Sequence, residues 1–305
     1  AVEMSKGKNW MEQEDFAWHL RKIVVQHLSL YMENLMNEIA LFENSDDFAL
    51  LYSAASSGAP SIARARINRD ANVEVGDELV SVAAPSIALR DPTDQEYFSK
   101  DVYMRIYFDT MQTAVFDSDA EQYTNMSSHF KDFSKPALDW QGGDKCGWIP
   151  SKVKEKLRTS DPVAFASANK VKLYRHLFGT IRMEEPTSPG YDGSHEVNNV
   201  PFRMRLGPSN FMEITSVLGG LLKQKINPAS VELKIDFELK KRGSNKWFVL
   251  KYKPVMSNII ELDSDYKLLL EDFFDLVKYE NEQVSEKMRE NSNDLVDSFD
   301  DVIEA

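Results

Sequence analysis

The spacing of apolar residues changes period along the chain. Between residues 10 and 44, Trp10, Phe16, Leu20, Val24, Leu28 and Leu35 recur at intervals built from three and four, which predicts an amphipathic helix. Ser45-Asp46-Asp47 supplies a break and an N-cap for a short second helix over 48–54. After the small-residue stretch Ser53 to Pro60 the period becomes two. Ile62 to Ile67 places Arg64 and Arg66 on one face, and Val102 to Phe108 reads as a strong strand. Gly76-Asp77 signals a turn between two shorter strands. Residues 117–150 are polar and irregular, with the pattern of a long loop.

Strand signals are clearest from 168 to 256. In Val171 to Met183, Leu173, Leu177 and Ile181 alternate with Tyr174, His176, Phe178 and Arg182, and Gly179 marks a bulge, a bend or a close backbone approach. Pro201 to Leu206 puts Phe202, Met204 and Leu206 on one face, Arg203 and Arg205 on the other. A short helix follows over Phe211 to Leu222, with Ser209 or Asn210 as its cap. Val231 to Leu239 and Lys246 to Lys253 form a hairpin whose basic turn is Lys240 to Asn245. An acidic amphipathic helix is expected from Ser264 to Met288.

These elements predict an α+β chain: a central, mostly antiparallel sheet, compatible with a small OB-like barrel, with N-terminal and C-terminal helices. The expected divisions are an N-terminal helical segment (1–57), a β-rich core (58–260), an acidic helix (261–288) and an acidic flexible tail (289–305).

Charge sharpens that division. The net charge of −13 resolves into −11 for residues 1–149, +9 for 150–258 and −11 for 259–305. A basic segment between two acidic ones points to an anionic partner that the overall charge conceals. The single cysteine, Cys146, excludes an internal disulfide and any cysteine-built metal site, and fits a reducing compartment. No run of apolar residues is long enough for a membrane helix, and Ala1 to Asp15 lacks the order of a signal peptide. A cytoplasmic protein without membrane contact is the expectation.

On the sheet, cations and rings share faces: Tyr174 with Arg182, Arg203 with Arg205, and Trp247 with Lys251 and Lys253. Lys240, Lys241 and Arg242 extend the set at the hairpin turn, and Arg64 and Arg66 on the first strand. A groove for single-stranded nucleic acid needs cations for phosphates and flat rings for unpaired bases. Phe202, Phe248, Leu250 and Tyr252 read instead as core. Asp139 to Lys152, with three glycines, Trp140 and Trp148, reads as a compact surface loop or a ligand loop. Its spacing is not that of a Walker A loop. The five histidines form no HExxH arrangement, and no GxSxG or GxGxxG motif occurs. Asp46-Asp47 and Asp91, Asp94, Glu96 read as loop caps. A binding protein rather than an enzyme is expected, with no catalytic residues, metal or cofactor.

From residue 289 the chain is acidic but punctuated by Leu295, Val296, Phe299, Val302 and Ile303. Acid mixed with apolar anchors is the pattern of a segment that docks on a partner, through Leu295, Phe299, Asp300, Asp301 and Ile303. An aromatic and basic sheet over 173–183, 201–206 and 246–253, followed by this tail, resembles the single-stranded DNA-binding proteins of phages and bacteria. The likeness covers about a third of the chain. It implies an OB-type fold that binds single-stranded DNA in replication or recombination and a tail that recruits replication and recombination proteins, in a bacterial host's cytoplasm where the protein is phage-encoded. The long N-terminal helical part and the absence of a Pro-Phe ending depart from the bacterial members. Two other classes fit the same pattern: a phage- or plasmid-encoded interaction or inhibitor protein without nucleic-acid binding, and a divalent-metal-dependent nucleic-acid enzyme.

Overall fold

The computed structural model describes residues 62–75, 78–117, 120, 122–189 and 196–303. The N-terminal helical segment, with His19, His27 and Asp46-Asp47, lies outside the described residues. The chain runs through β1 (Ala63–Asn68), β2 (Asn72–Val75), β3 (Glu78–Ser81), β4 (Ser86–Arg90), β5 (Glu96–Ser99), β6 (Asp101–Asp117) and β7 (Gln122–Met126). Two helices follow, α1 (Ser151–Ser160) and α2 (Pro162–Lys170), then β8 (Val171–Glu184) and β9 (Val197–Leu206). The last elements are α3 (Phe211–Lys223), β10 (Val231–Arg242), β11 (Asn245–Ile259) and α4 (Ser264–Ile303).

The result is a mixed α and β fold around one large, mostly antiparallel sheet in the order β11-β10-β6-β8-β9-β1-β4-β5, with β7 paired to β6. Among the described strands only β1 and β9 pair in parallel. The path has two ends that do not pair with each other, so the described strands form an open sheet and not the closed barrel that the sequence allowed. β2 and β3 pair antiparallel in a separate two-stranded sheet, and the Gly76-Asp77 turn expected between them lies outside the described residues. No described helix is long and apolar enough to cross a membrane.

Among the described helices, α3 packs on one face of the sheet and α4 on the other. Met104, Ile106, Leu177, Phe202, Met204 and Leu250 pack with Ile214, Leu218 and Leu221 of α3 in the main core. The other face carries a smaller cluster in which Phe108 and Phe178, stacked at 4.5 Å, receive Phe273 and Leu276 of α4. Phe178 and Phe273 are fully buried, and each such side chain stabilises the docking by ~1.5–3 kcal/mol. α4 starts where Asp263 accepts a hydrogen bond from the Tyr266 N–H at 3.1 Å.

Gly179 combines two of its anticipated roles. It pairs with Ile106 beside a register shift between Ile106 and Phe108, and a Cβ there would lie 1.7 Å from the Arg105 carbonyl oxygen. The shift matters to the second face, because it turns Phe108, Thr110 and Gln112 to the side of Phe178, His176 and Tyr174, their register partners.

Several expectations are corrected. The region 117–150 contains β7, a short strand with too little apolar content to register as one. α1 and α2 are helices that the sequence pattern did not predict, and α1 buries no side chain. α2 follows Pro162 at its first position, with the Asp161 carboxylate accepting the Ala164 N–H at 2.9 Å. Asn210 does not cap α3. Its side-chain oxygen accepts the Leu250 N–H at 2.8 Å and ties the start of α3 to β11. The β10–β11 turn is only Gly243-Ser244, with Gly243 at φ +62°, so Lys240, Lys241 and Arg242 belong to the strand. Helical backbone continues past residue 288 to Ile303, where a tail was expected to begin.

Candidate functional site

Strand pairing gathers the arginines read separately in the sequence. In a regular sheet, residues opposite each other on neighbouring strands share a face. Arg64 of β1 lies opposite Arg90 of β4 on one side and opposite Arg203 of β9 on the other. Arg203 is in turn opposite Phe178, and Arg205 opposite His176. Three arginines thus stand in one row across adjacent strands, with Arg205 two residues along from the last. Like charges directly opposite one another are destabilising, so a purely structural sheet has reason to avoid this row.

The charges are unevenly compensated. Arg90 reaches Glu96 at 3.1 Å and Asp94 at 3.9 Å, and Arg66 also pairs with Glu96. Arg203 pairs with Glu280 of α4. Arg64 is exposed and has no ion-pair partner among the described residues. Arg205 is held by rings: its guanidinium lies 3.5 Å from the Tyr174 ring centre and 4.8 Å from that of Tyr123, and its Nη1 donates to the Tyr123 hydroxyl at 2.8 Å. Its Nε and Nη2 are buried without a hydrogen-bond partner among the described residues. A buried donor left unpaired costs ~1–3 kcal/mol.

Three concavities follow this row. One of about 350 Å³ includes Arg90, Arg64, Arg203 and Tyr279. The next, about 520 Å³, shares Arg64, Arg203 and Glu280 with it and adds Arg205, His176 and Trp140. Beyond the Arg205–tyrosine stack, a third of about 490 Å³ is lined by Tyr174, Tyr123, Phe116, Lys170 and Lys172. Phe116 and Tyr123 meet edge to face at 5.2 Å. Cations and rings therefore alternate along one face of β1, β9, β8 and β6.

α4 borders this face and carries its main carboxylate. Burial by itself would raise Glu280, but a hydrogen bond with His129 Nε2 at 2.8 Å and the charge of Arg203 outweigh it and hold the carboxyl at about 2. His129 is fixed from the other side by Thr110 at 2.8 Å, and its backbone N–H donates to Asn281 of α4 at 2.6 Å. His176 is pushed well below the ordinary histidine range by burial, then by His129 and Arg205, so its ring is neutral near pH 7.

The other anticipated residues fall elsewhere. Trp247 does alternate in phase with Lys251 and Lys253, as their pairings with Lys240, Asp236 and Lys234 show. This patch, however, is on β11, five strand spacings or about 24 Å from β1. Its cations are engaged: Lys240 and Lys251 with Glu238, Lys251 also with Glu213, and Lys253 with Asp236. Lys241 and Arg242 are exposed at the hairpin end. Arg182 is bound to Glu232 at 3.0 Å and Glu184 at 2.9 Å and lies over Tyr103 at 4.0 Å; these hydrogen bonds, Glu232 first, hold its charge. The side chains of Leu295, Phe299, Asp300, Asp301 and Ile303 lie outside the described residues.

The 139–152 loop is compact, pinned by Asp139 rather than by its tryptophans. Asp139, 1% exposed, accepts N–H groups of Gln141, Gly143 and Cys146. Trp148 packs on Phe133 at 4.9 Å, whereas Trp140 lines the middle cavity. Burial pushes the Cys146 thiol up to about 12, which makes it an unreactive thiol at neutral pH. Asp91 serves its own turn, accepting the N–H groups of Thr93 and Gln95.

Tyr123, Phe116, Lys170, Lys172, Arg90 and Glu280 were not anticipated. Lys170 and Lys172 sit within the basic segment, so its charge pointed at them. Nothing local marks the others, because only strand register and helix docking bring them to this face. Comparison of the chain with protein-family models, with curated proteins and with solved structures finds no match.

Proposed function

We propose that the chain binds single-stranded nucleic acid, DNA in the first instance, along the face of β1, β9, β8 and β6. One observation carries the reading: the arginine row Arg90–Arg64–Arg203 leads into the Arg205–Tyr174–Tyr123 stack, with concavities on both sides. Arginines supply charge to a phosphate backbone, and rings offer sequence-tolerant stacking worth ~1–3 kcal/mol per base. The basic charge of residues 150–258 supports the same surface, with Lys170 and Lys172 extending it. An OB-type domain uses its sheet face in this way, and an open sheet offers an equivalent face.

In this reading the protein acts in replication or recombination without chemistry of its own, in the cytoplasm. The acidic end of α4 recruits a partner protein through Leu295, Phe299 and Ile303. Glu280 occupies Arg203 as a strand phosphate would, so α4 and the strand compete for that guanidinium.

A gel shift with labelled oligothymidylate and a duplex of equal length checks the preference. The single strand is expected to bind about tenfold more tightly at low salt, because paired bases cannot stack on Tyr174 or Tyr123. Equal or tighter binding of the duplex would remove the single-strand reading.

A further inference from the structure

The middle cavity differs from its neighbours. At about 520 Å³ it falls within the size range of small-molecule sites and far exceeds a phosphate. Trp140, Met126 and Val284 give it flat and apolar walls, whereas His176 and Gln112 supply polar groups from the sheet. His176 is only 6% exposed, and its Nε2 has no hydrogen-bond partner among the described residues. A buried polar atom in that state calls for an explanation.

The neutral state of His176 selects the kind of partner. A neutral imidazole nitrogen makes one hydrogen bond to another neutral polar group, whereas a phosphate favours a charged donor. Charge is available nearby on Arg64 and Arg203, which this cavity shares with the next concavity. The lining thus combines apolar and flat side chains and a neutral imidazole with charged groups, of which Arg64, Arg203 and Glu280 are shared with the neighbouring concavity and Arg205 and Lys287 are not.

We infer that this cavity is a base-binding subsite, in which one nucleotide of the bound strand places its base against Trp140 and within reach of His176 while Arg64 and Arg203 hold its phosphates. The inference rests on the strand-binding reading and adds to it a discrete site where one nucleobase is contacted at its edge. Stacking elsewhere on the face ignores base identity; a hydrogen bond from His176 to a base edge does not.

Calorimetric titration of the full chain with the four 5′-deoxynucleoside monophosphates, with inorganic phosphate as control, tests it. At least one monophosphate is expected to bind saturably at one site where inorganic phosphate does not. Trp140→Ala should weaken that binding roughly tenfold, the scale of one lost stack, and His176→Gln should alter the ranking of the four bases. Trp247→Ala, on the separate β11 patch, should leave monophosphate binding unchanged. Thermal melting confirms that each variant folds, and two variants on different walls guard against the failure of one. If oligothymidylate binds but no monophosphate binds better than inorganic phosphate, the subsite is refuted and the strand reading stands. Monophosphate binding without oligomer binding refutes the strand reading and leaves a free-nucleotide site. If neither binds, both are refuted.

Discussion

Arg205→Met should weaken binding of a single-stranded oligomer by about 3 kcal/mol, roughly 100-fold, while leaving the melting temperature unchanged or raised. Methionine fills much of the same space and keeps contact with the rings of Tyr174 and Tyr123. It also removes the two buried donors, Nε and Nη2, that have no partner among the described residues. The stability of the present arrangement reflects a gain from guanidinium–ring contact set against a cost from those donors. Retaining an under-satisfied arginine makes physical sense where its charge acts on a phosphate in the cavity it lines. Binding and stability should therefore separate in this variant. If both fall together, Arg205 is a structural residue and the stack is a packing device.

Glu280→Gln should act in the opposite sense on binding. The wild-type carboxylate pairs with Arg203 and His129, and its folded value near 2 lies below the ordinary 4.5. Because the folded value is depressed, the pairing stabilises the protein fully above about pH 4.5. That contribution, about 3 kcal/mol, is lost as pH falls from there toward 2. Glutamine removes the charge at every pH, so at pH 7 the variant should be less stable by about this amount and should lack the corresponding acid-dependent loss. Arg203 is freed at the same time, and oligomer affinity at low salt should rise about tenfold if α4 and the strand compete for it. Denaturant unfolding at pH 7 and near pH 2, alongside binding titration at pH 7, separates the two effects. Lower stability with unchanged or weaker binding would mean that Glu280 only anchors the helix.

The parts of this site that depend on local alternation were legible in the sequence. Arg203 and Arg205 read as one face of a strand because Phe202, Met204 and Leu206 occupy the other, and those three are buried. Gly179 read as a bulge or close approach for want of a side chain in an otherwise bulky strand, and it sits beside both. The hairpin of β10 and β11 was visible, but its turn was overestimated because charged residues at an exposed strand end look like loop. What local pattern cannot carry is register across the sheet. Nothing near Arg64 indicates that it will lie beside Arg203, since the parallel pairing of β1 with β9 joins distant segments. Glu280 is one of many carboxylates in an acidic helix, and only the docking of Phe273 and Leu276 aims it at Arg203. The same non-local assembly explains why Trp247, correctly placed on a face with its lysines, belongs to a different patch. Face is local, whereas position across the sheet is not.

The salt dependence of oligothymidylate binding tests the arginine face most directly. Each phosphate neutralised on a single strand contributes about −0.7 to the slope of log K against log salt, so contacts from Arg64, Arg203 and Arg205 predict a slope near −2. Arg64→Ala, at the one arginine of the row without an ion-pair partner among the described residues, should flatten that slope by about 0.7 without unfolding the protein. A slope near zero, no binding at low salt, or a slope untouched by Arg64→Ala would contradict the arginine face as the strand-binding surface.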